Sequence, residues 1–175
     1  MLIGFDPIIA ETPYVLILGS MPSVASLEKH EYYGYRHNRF WKIMSACFQM
    51  PIDHYAQKQQ IILSHHLILW DVIHACEREG SLDSSIRKEI VNPIDRLVSE
   101  YPTLHTVICN GKKSEGLYQK HFSQLPLRQI YLPSTSNANR TIKEEALFDR
   151  WITALRESLQ EEPSCKVVPV RRTAP

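Results

Sequence analysis

Two short polar segments carry most of the side chains able to do chemistry. The first is Gly19-Ser20-Met21-Pro22-Ser23, followed closely by Tyr32-Tyr33-Gly34-Tyr35-Arg36-His37-Asn38-Arg39-Phe40-Trp41. The second is Leu132-Pro133-Ser134-Thr135-Ser136-Asn137-Ala138-Asn139-Arg140. Gly19 lets the backbone turn and come close to a ligand, and N–H groups in such a turn can hold an anion or a carbonyl oxygen. Tyr32, Tyr33 and Tyr35 offer flat rings that can stack on a base. The Asn38 carboxamide can hold a water and a base edge at once. It has no useful proton affinity near neutrality, so its chemistry would be positional. A helix cap accounts for Asn38 equally well.

In the second segment, Ser134, Thr135 and Ser136 can bind phosphate oxygens through hydroxyls and backbone N–H groups. Asn137 and Asn139 could enter a groove beside an extruded nucleotide, with Arg140 on a phosphate. A capped helix start explains the same residues. Arg36 and Arg39 can reach phosphates, although lone arginines usually face solvent, and His37 can do the same. Phe40 and Trp41 read as core. Other chemistries lack their motifs. There is no Gly-x-Gly-x-x-Gly, no Gly-Lys-Ser/Thr, no His-Glu-x-x-His and no Gly-x-Ser-x-Gly.

The elements that must position these loops alternate. Tyr14 to Leu18, His66 to Val72, Thr106 to Cys109 and Arg128 to Leu132 read as strands. Helices are expected from about Asn38 to Pro51, with Phe40, Trp41, Met44, Cys47 and Phe48 on one face, and from Asp53 to Leu63 with Asp53 as cap. Further helices are expected over Asp83 to Glu89, Pro93 to Ser99, Lys112 to His121 and Ile142 to Leu159. Strands alternating with helices favour a parallel sheet covered on both faces. Both polar segments then sit after strands, where α/β proteins build sites.

Composition sets the bounds. The chain has 175 residues, 43% hydrophobic and 22% charged, with a net charge of +1. That length suits one domain with a substantial core, over residues 1–160, and a loose tail over 161–175. A near-neutral balance leaves any DNA-binding face to a local patch. No secretory signal or membrane-length apolar segment is visible. Cys47, Cys76, Cys109 and Cys165 form no close pair, which argues against zinc or redox sites and for reduced thiols in the cytoplasm.

These residues resemble the uracil-DNA glycosylase superfamily, and among its branches the hypoxanthine-DNA glycosylases. Gly19 to Ser23 stands in the place of the first motif. Asn38-Arg39-Phe40-Trp41 matches an aromatic stretch of the mismatch-specific branch, and Leu132 to Asn139 matches the second motif. Leu69-Trp70-Asp71-Val72 and Asn110-Gly111-Lys112-Lys113 also resemble family segments. The third position of the first motif holds Met21, where many members carry a water-handling Asp or Asn. The hypoxanthine-active branch places its important Asn outside this motif, and Asn38 is the match.

The resemblance implies a three-layer α/β/α sandwich around a short central parallel sheet. It implies hydrolysis of the N-glycosidic bond of a deaminated base, foremost hypoxanthine, in double-stranded DNA, leaving an abasic site. Asn38 would orient the water and Ser134 would help the departing base. Gly19, Ser20, Met21, Pro22, Tyr33, His37, Phe40 and Asn110 would contact the base. Arg36, Ser134, Thr135, Ser136, Asn137, Asn139 and Arg140 would contact DNA. No metal or organic cofactor is implied. The enzyme would be a monomer, cytoplasmic and working on the bacterial nucleoid. Lys112 and Lys113 read as a solvated helix start, so a monofunctional enzyme is expected over one that also cuts the strand. Three other readings remain: a mismatch-specific uracil or thymine glycosylase, a damage-binding protein without turnover, and a hydrolase of free nucleosides. The last predicts a closed pocket with no basic track. DNA repair predicts positive potential near Arg36, Arg39, Arg128 and Arg140.

Overall fold

The computed structural model describes residues 1–161. In chain order the elements are β1 (Leu2–Ile3), β2 (Ile8–Ile9), β3 (Val15–Gly19), α1 (Val24–Lys29), α2 (Phe40–Phe48), α3 (Tyr55–Ser64), β4 (Leu67–Asp71), β5 (Ile73–Glu77), β6 (Arg87–Val91), α4 (Ile94–Glu100), β7 (Thr106–Asn110), α5 (Lys112–Phe122), β8 (Arg128–Leu132) and α6 (Glu144–Gln160). The four expected strands pair in parallel, in the order β4-β3-β7-β8. Strands β3, β4 and β7 are buried along their whole length, which is why each reads as an apolar run, broken only by Thr106 at the start of β7 and by Asp71 and Asn110 at the carboxyl ends of β4 and β7.

Chain order and crossover handedness set the layers. A right-handed crossover from β3 out to β4 puts α1, α2 and α3 on one face. The return from β4 past β3 to β7, and the step to β8, put α4 and α5 on the other. Helix α6 comes back to pack on α2. The result is the expected α/β/α sandwich around a single large apolar cluster.

Several short elements correct the sequence reading. Strand β2 adds to the far side of β4 and runs antiparallel to it, so the sheet has five strands and is not wholly parallel. A second, antiparallel sheet of three strands, β1-β5-β6, springs from the end of β4. The helix expected over Asp83 to Glu89 is a single 3-10 turn, Asp83–Ser85, followed by β6. The Arg-Lys-Glu run looks helical in isolation. Here it forms a charged, irregular edge strand in which Lys88 takes a positive φ of 52° and the pairing register shifts.

Helix α3 begins two residues after Asp53; instead of Asp53 capping it, Gln57 accepts the backbone N–H groups of Asp53 and His54. Within the expected tail, Glu161 pairs with the Arg128 guanidinium; residues 162–175 lie outside the described residues.

Candidate active site

The carboxyl ends of β4, β3 and β7 bring Asp71, Gly19 and Asn110 side by side, with Gly19 paired to Asp71 in register. Strand β8 ends beside Asn110 and releases the Pro133 to Asn139 loop. A cleft of about 760 Å³ opens on these ends. Its lining includes Gly19 to Ser26, Tyr32, Tyr33, Tyr35, Asn38, Asp71, Ser81 to Ser84, Asn110 and Ser134 to Asn139. The two polar segments singled out by sequence therefore do face one another.

Gly19 matters here for space. It lies within β3, and its backbone does not turn. A Cβ at this position would run into Asp71 Oδ1 and would sit 2.9 Å from the Tyr33 hydroxyl. Gly111 is different: its φ of +91° suits glycine, and a Cβ there would press on Ser134 at 3.1 Å. One glycine lets two polar side chains meet over the strand end, and the other lets Ser134 close on the start of α5.

One wall of the cleft is a directed chain of hydrogen bonds. Asn110 Nδ2 donates to the Tyr33 hydroxyl and to Thr135 Oγ1, both at 3.0 Å. Asn110 Oδ1 accepts the Thr135 N–H at 3.0 Å. Thr135 Oγ1 in turn donates to Asn38 Oδ1 at 3.0 Å, and the Phe40 N–H donates to the same oxygen at 2.9 Å. A backbone N–H can only donate, so the orientation of the Asn38 amide follows from its partners. Both lone pairs of its oxygen are taken, and the capacity left is that of the Nδ2 donor. Asn38 is thus both a capping group for the start of α2 and a member of the cleft wall.

Packing holds that wall in place. Tyr33 has a positive φ of 51° and stacks on Phe40 with ring centroids 4.0 Å apart. Trp41 Nε1 donates to Tyr32 O, and the fully buried Trp151 donates from Nε1 to Pro133 O. Arg39 reaches the carbonyls of Thr135, Ser136 and Asn139.

The opposite wall is charged. Asp71 is 5% exposed, and its Oδ2 is buried without a hydrogen-bond partner. Burial first, then the negative charge of Asp83, push its carboxyl up to about 7; Arg78 opposes them. Asp83 accepts a 2.6 Å hydrogen bond from Ser20 Oγ, which ties the 3-10 turn to the first polar loop. Arg78 Nη2 donates to Pro22 O at 2.6 Å and fixes the same loop from below. Burial and the nearby Asp71 charge also push the Tyr33 hydroxyl well above the usual phenol range.

Some expected contacts move. Phe40 is 0% exposed and does not line the cleft; it backs Tyr33, so it acts on the site through that ring. His37 is exposed outside the lining, takes a hydrogen bond from Arg36 Nε, and packs edge-on against Tyr35. Arg39 is occupied by loop carbonyls and is not a free phosphate ligand. Arg128 starts β8, so it lies at the opposite end of the sheet from the cleft. Arg36 and Arg140 are exposed, and neither lines the cleft.

Other residues enter unannounced. Asp83, Ser81 and Leu82 close the cleft, although Asp83 is expected only as the start of a short helix. Beyond Ser134 a shallower groove of about 510 Å³ continues between Arg87, Lys112 and Lys113. Lys113 is paired with Glu89 at 3.6 Å. The groove sets Arg87, Lys112 and Lys113 beside the cleft, with Asp83 among them, and Arg87 Nη1 donates to Ser84 O and Ile86 O. Arg87 falls in the helix expected over Asp83 to Glu89, and Lys112 and Lys113 at the expected start of the helix after the third strand.

The sequence profile described as the Uracil DNA glycosylase superfamily matches residues 7–156. A protein named hypoxanthine DNA glycosylase from Methanosarcina barkeri is 36% identical over 139 residues, covering 78% of this chain and 87% of that protein. Its namesake from Methanosarcina acetivorans is 37% identical over 139 residues with the same coverage. A solution NMR structure from Methanosarcina acetivorans, of a protein provisionally called a uracil DNA glycosylase, superimposes with a TM-score of 0.78 at 32% identity. That match covers 90% of this chain and 98% of the other.

Proposed function

The chain belongs to the uracil-DNA glycosylase superfamily, and from that premise we propose that it releases hypoxanthine from deoxyinosine in duplex DNA by hydrolysis, leaving an abasic site. The observation that carries this reading is the Asn38 carboxamide, held in the cleft wall by Phe40 N–H and Thr135 Oγ1. Met21 lines the same cleft at the third place of the first loop, and a thioether can neither position water strongly nor take its proton. The names of the two Methanosarcina relatives support the same base.

DNA lies across the carboxyl ends of the strands, with phosphates along the Ser134–Asn139 loop and the groove beside Lys112 and Arg87. The lesion leaves the stack and enters the cleft; extrusion is cheaper at a mispair because less pairing is lost. Tyr33, fixed by Phe40 and Asn110, and the backbone around Ser20 and Met21 receive the base. As the glycosidic bond stretches, positive charge builds on the sugar and negative charge on the purine. The DNA phosphates and the Asp83 carboxylate favour the former, and the Ser134 hydroxyl donates toward the latter. Asn38 Nδ2 donates to the water through one lone pair of its oxygen. The other lone pair is left to add at the sugar carbon, where little nucleophilic strength is needed. Lys112 and Lys113 border the groove and not the cleft, which fits a monofunctional hydrolase.

The test is a set of labelled duplexes carrying deoxyinosine, deoxyuridine or a G·T mismatch, treated with hot alkali after incubation. Strong cleavage at deoxyinosine, weak or no cleavage at the other two, and no reaction with free inosine are expected. Cleavage confined to deoxyuridine or G·T would replace this reading with the mismatch-specific one. Turnover of free inosine would favour the nucleoside hydrolase.

A further inference from the structure

The bond-breaking step sketched above leaves the departing base without a proton. Among the described residues lining the cleft, the ionisable side chains are Glu28, Tyr32, Tyr33, Tyr35, Asp71 and Asp83. Glu28 is exposed on α1, and phenols hold their protons too tightly; burial raises Tyr32 and Tyr33 further. Asp83 is engaged as an acceptor by Ser20 Oγ at 2.6 Å. Asp71 differs from all of these. It sits at the end of β4 on the charged wall of the cleft, buried, with Oδ2 lacking any partner and Oδ1 turned toward Gly19 and the Tyr33 hydroxyl. A buried carboxylate left in that state is costly, whereas a neutral carboxylic acid carries a proton it can give away.

We propose that Asp71 is a further catalytic residue, the proton donor to the purine as it leaves. This rests on the reading of the substrate as deoxyinosine. Hypoxanthine shows acceptors at N7 and O6 on its outer edge, as guanine does. The Asp71 proton passes to one of them while the electron pair of the sugar–base bond moves onto the purine, so the base departs neutral. Water adds to the sugar carbon and releases a proton, and the Asp71 carboxylate regains one before the next turnover. The groups facing Asp71 are Asp83 from the 3-10 turn, Arg78 after β5, and Tyr32 and Tyr33 from the aromatic loop. Asp83 favours the protonated form and Arg78 opposes it.

Single-turnover release of hypoxanthine from a deoxyinosine duplex, measured from about pH 5.5 to 9, tests the step on wild type, Asp71→Asn and Asp83→Asn. The wild-type rate should be highest on the acid side and fall about tenfold per unit above about pH 7. Asp71→Asn keeps the shape but has no proton to deliver; its rate should drop about 100-fold or more on the acid side and lose that fall. Asp83→Asn should move the fall to lower pH. Binding to a duplex with a tetrahydrofuran abasic analogue should stay within about twofold for Asp71→Asn, separating chemistry from fold. Hypoxanthine release with a flat wild-type profile, or with Asp71→Asn within about twofold of wild type, overturns the role of Asp71 and leaves the substrate reading intact. No hypoxanthine at any pH overturns both. If Asp71→Asn does not fold, the wild-type and Asp83→Asn profiles still decide.

Discussion

The two walls of the cleft are built on opposite principles. On the Asn38 side every side-chain oxygen of the chain from Asn110 through Thr135 to Asn38 accepts at least one hydrogen bond before any ligand arrives. On the Asp71 side a buried carboxyl oxygen has no partner, and a second carboxylate faces it. The first arrangement fixes geometry. The second stores unfavourable electrostatics that a ligand can relieve. The difference suggests a division of labour, in which position comes from the filled wall and charge from the unfilled one.

Breaking the filled wall at its end should have the largest effect. Asn38→Ala should lower the single-turnover rate on deoxyinosine DNA about 100- to 1,000-fold, about 3–4 kcal/mol of barrier. Binding of an uncleavable deoxyinosine analogue should be nearly unchanged. A rate within a few-fold of wild type would remove Asn38 from the chemistry and leave it as a cap.

The unfilled wall is tested by stability without DNA. The carboxyl of Asp71 is raised from 3.8 to about 7, so the folded state holds its proton more tightly than the unfolded chain does. Its contribution to stability is whole below about pH 4 and is lost as pH rises towards 7. Removing the charge with Asp71→Asn should therefore stabilise the protein more at pH 8 than at pH 5, by about 2–3 kcal/mol in denaturant titrations. An equal effect at both values would mean that the carboxyl is not strained by burial.

The meeting point of the walls comes next. Gly19→Ala should reduce activity about 10- to 100-fold and lower Tm by several degrees, since the methyl meets both Asp71 and Tyr33. Wild-type activity in this variant would show that the floor yields easily. Thr135→Val keeps the volume but cuts the bond to Asn38; about a tenfold loss in rate with little change in binding is expected. The smallest effect belongs to residues outside both walls. Arg36→Ala and His37→Ala should change the rate less than about threefold and act, if at all, through the salt dependence of DNA binding.

How far these walls were legible in the sequence follows from how each is made. Three of the four parallel strands, β3, β4 and β7, are buried throughout and announce themselves by their apolar residues, whereas β8 is exposed at its start; the two loops stand out by density of polar and aromatic residues. Asn38, Asn110 and Thr135 belong to those dense stretches, so the filled wall was largely visible. Its wiring was not, because the bonds join residues up to 97 positions apart, as between Asn38 and Thr135. The unfilled wall was hidden for a different reason. Asp71 ends an apolar strand and Asp83 sits in a turn, places where aspartate usually needs no explanation. Only the pairing of β4 with β3, and the small sheet that folds the Asp83 turn back over the cleft, give the two carboxyls a common address. Strand β6 reads as a helix because an uncovered edge strand carries the charges of a helix surface. No sequence signal marks an arginine that binds three carbonyls, so Arg39 reads as a solvent or phosphate group.

The most direct test of the whole account is the identity of what leaves the DNA. A deoxyinosine duplex is incubated with the wild-type protein, and the small-molecule fraction is separated and weighed by mass spectrometry alongside a count of abasic sites. Free hypoxanthine in a one-to-one ratio with abasic sites is expected. A duplex that is bound but keeps its base would contradict it, and would make this cleft a sensor of damage.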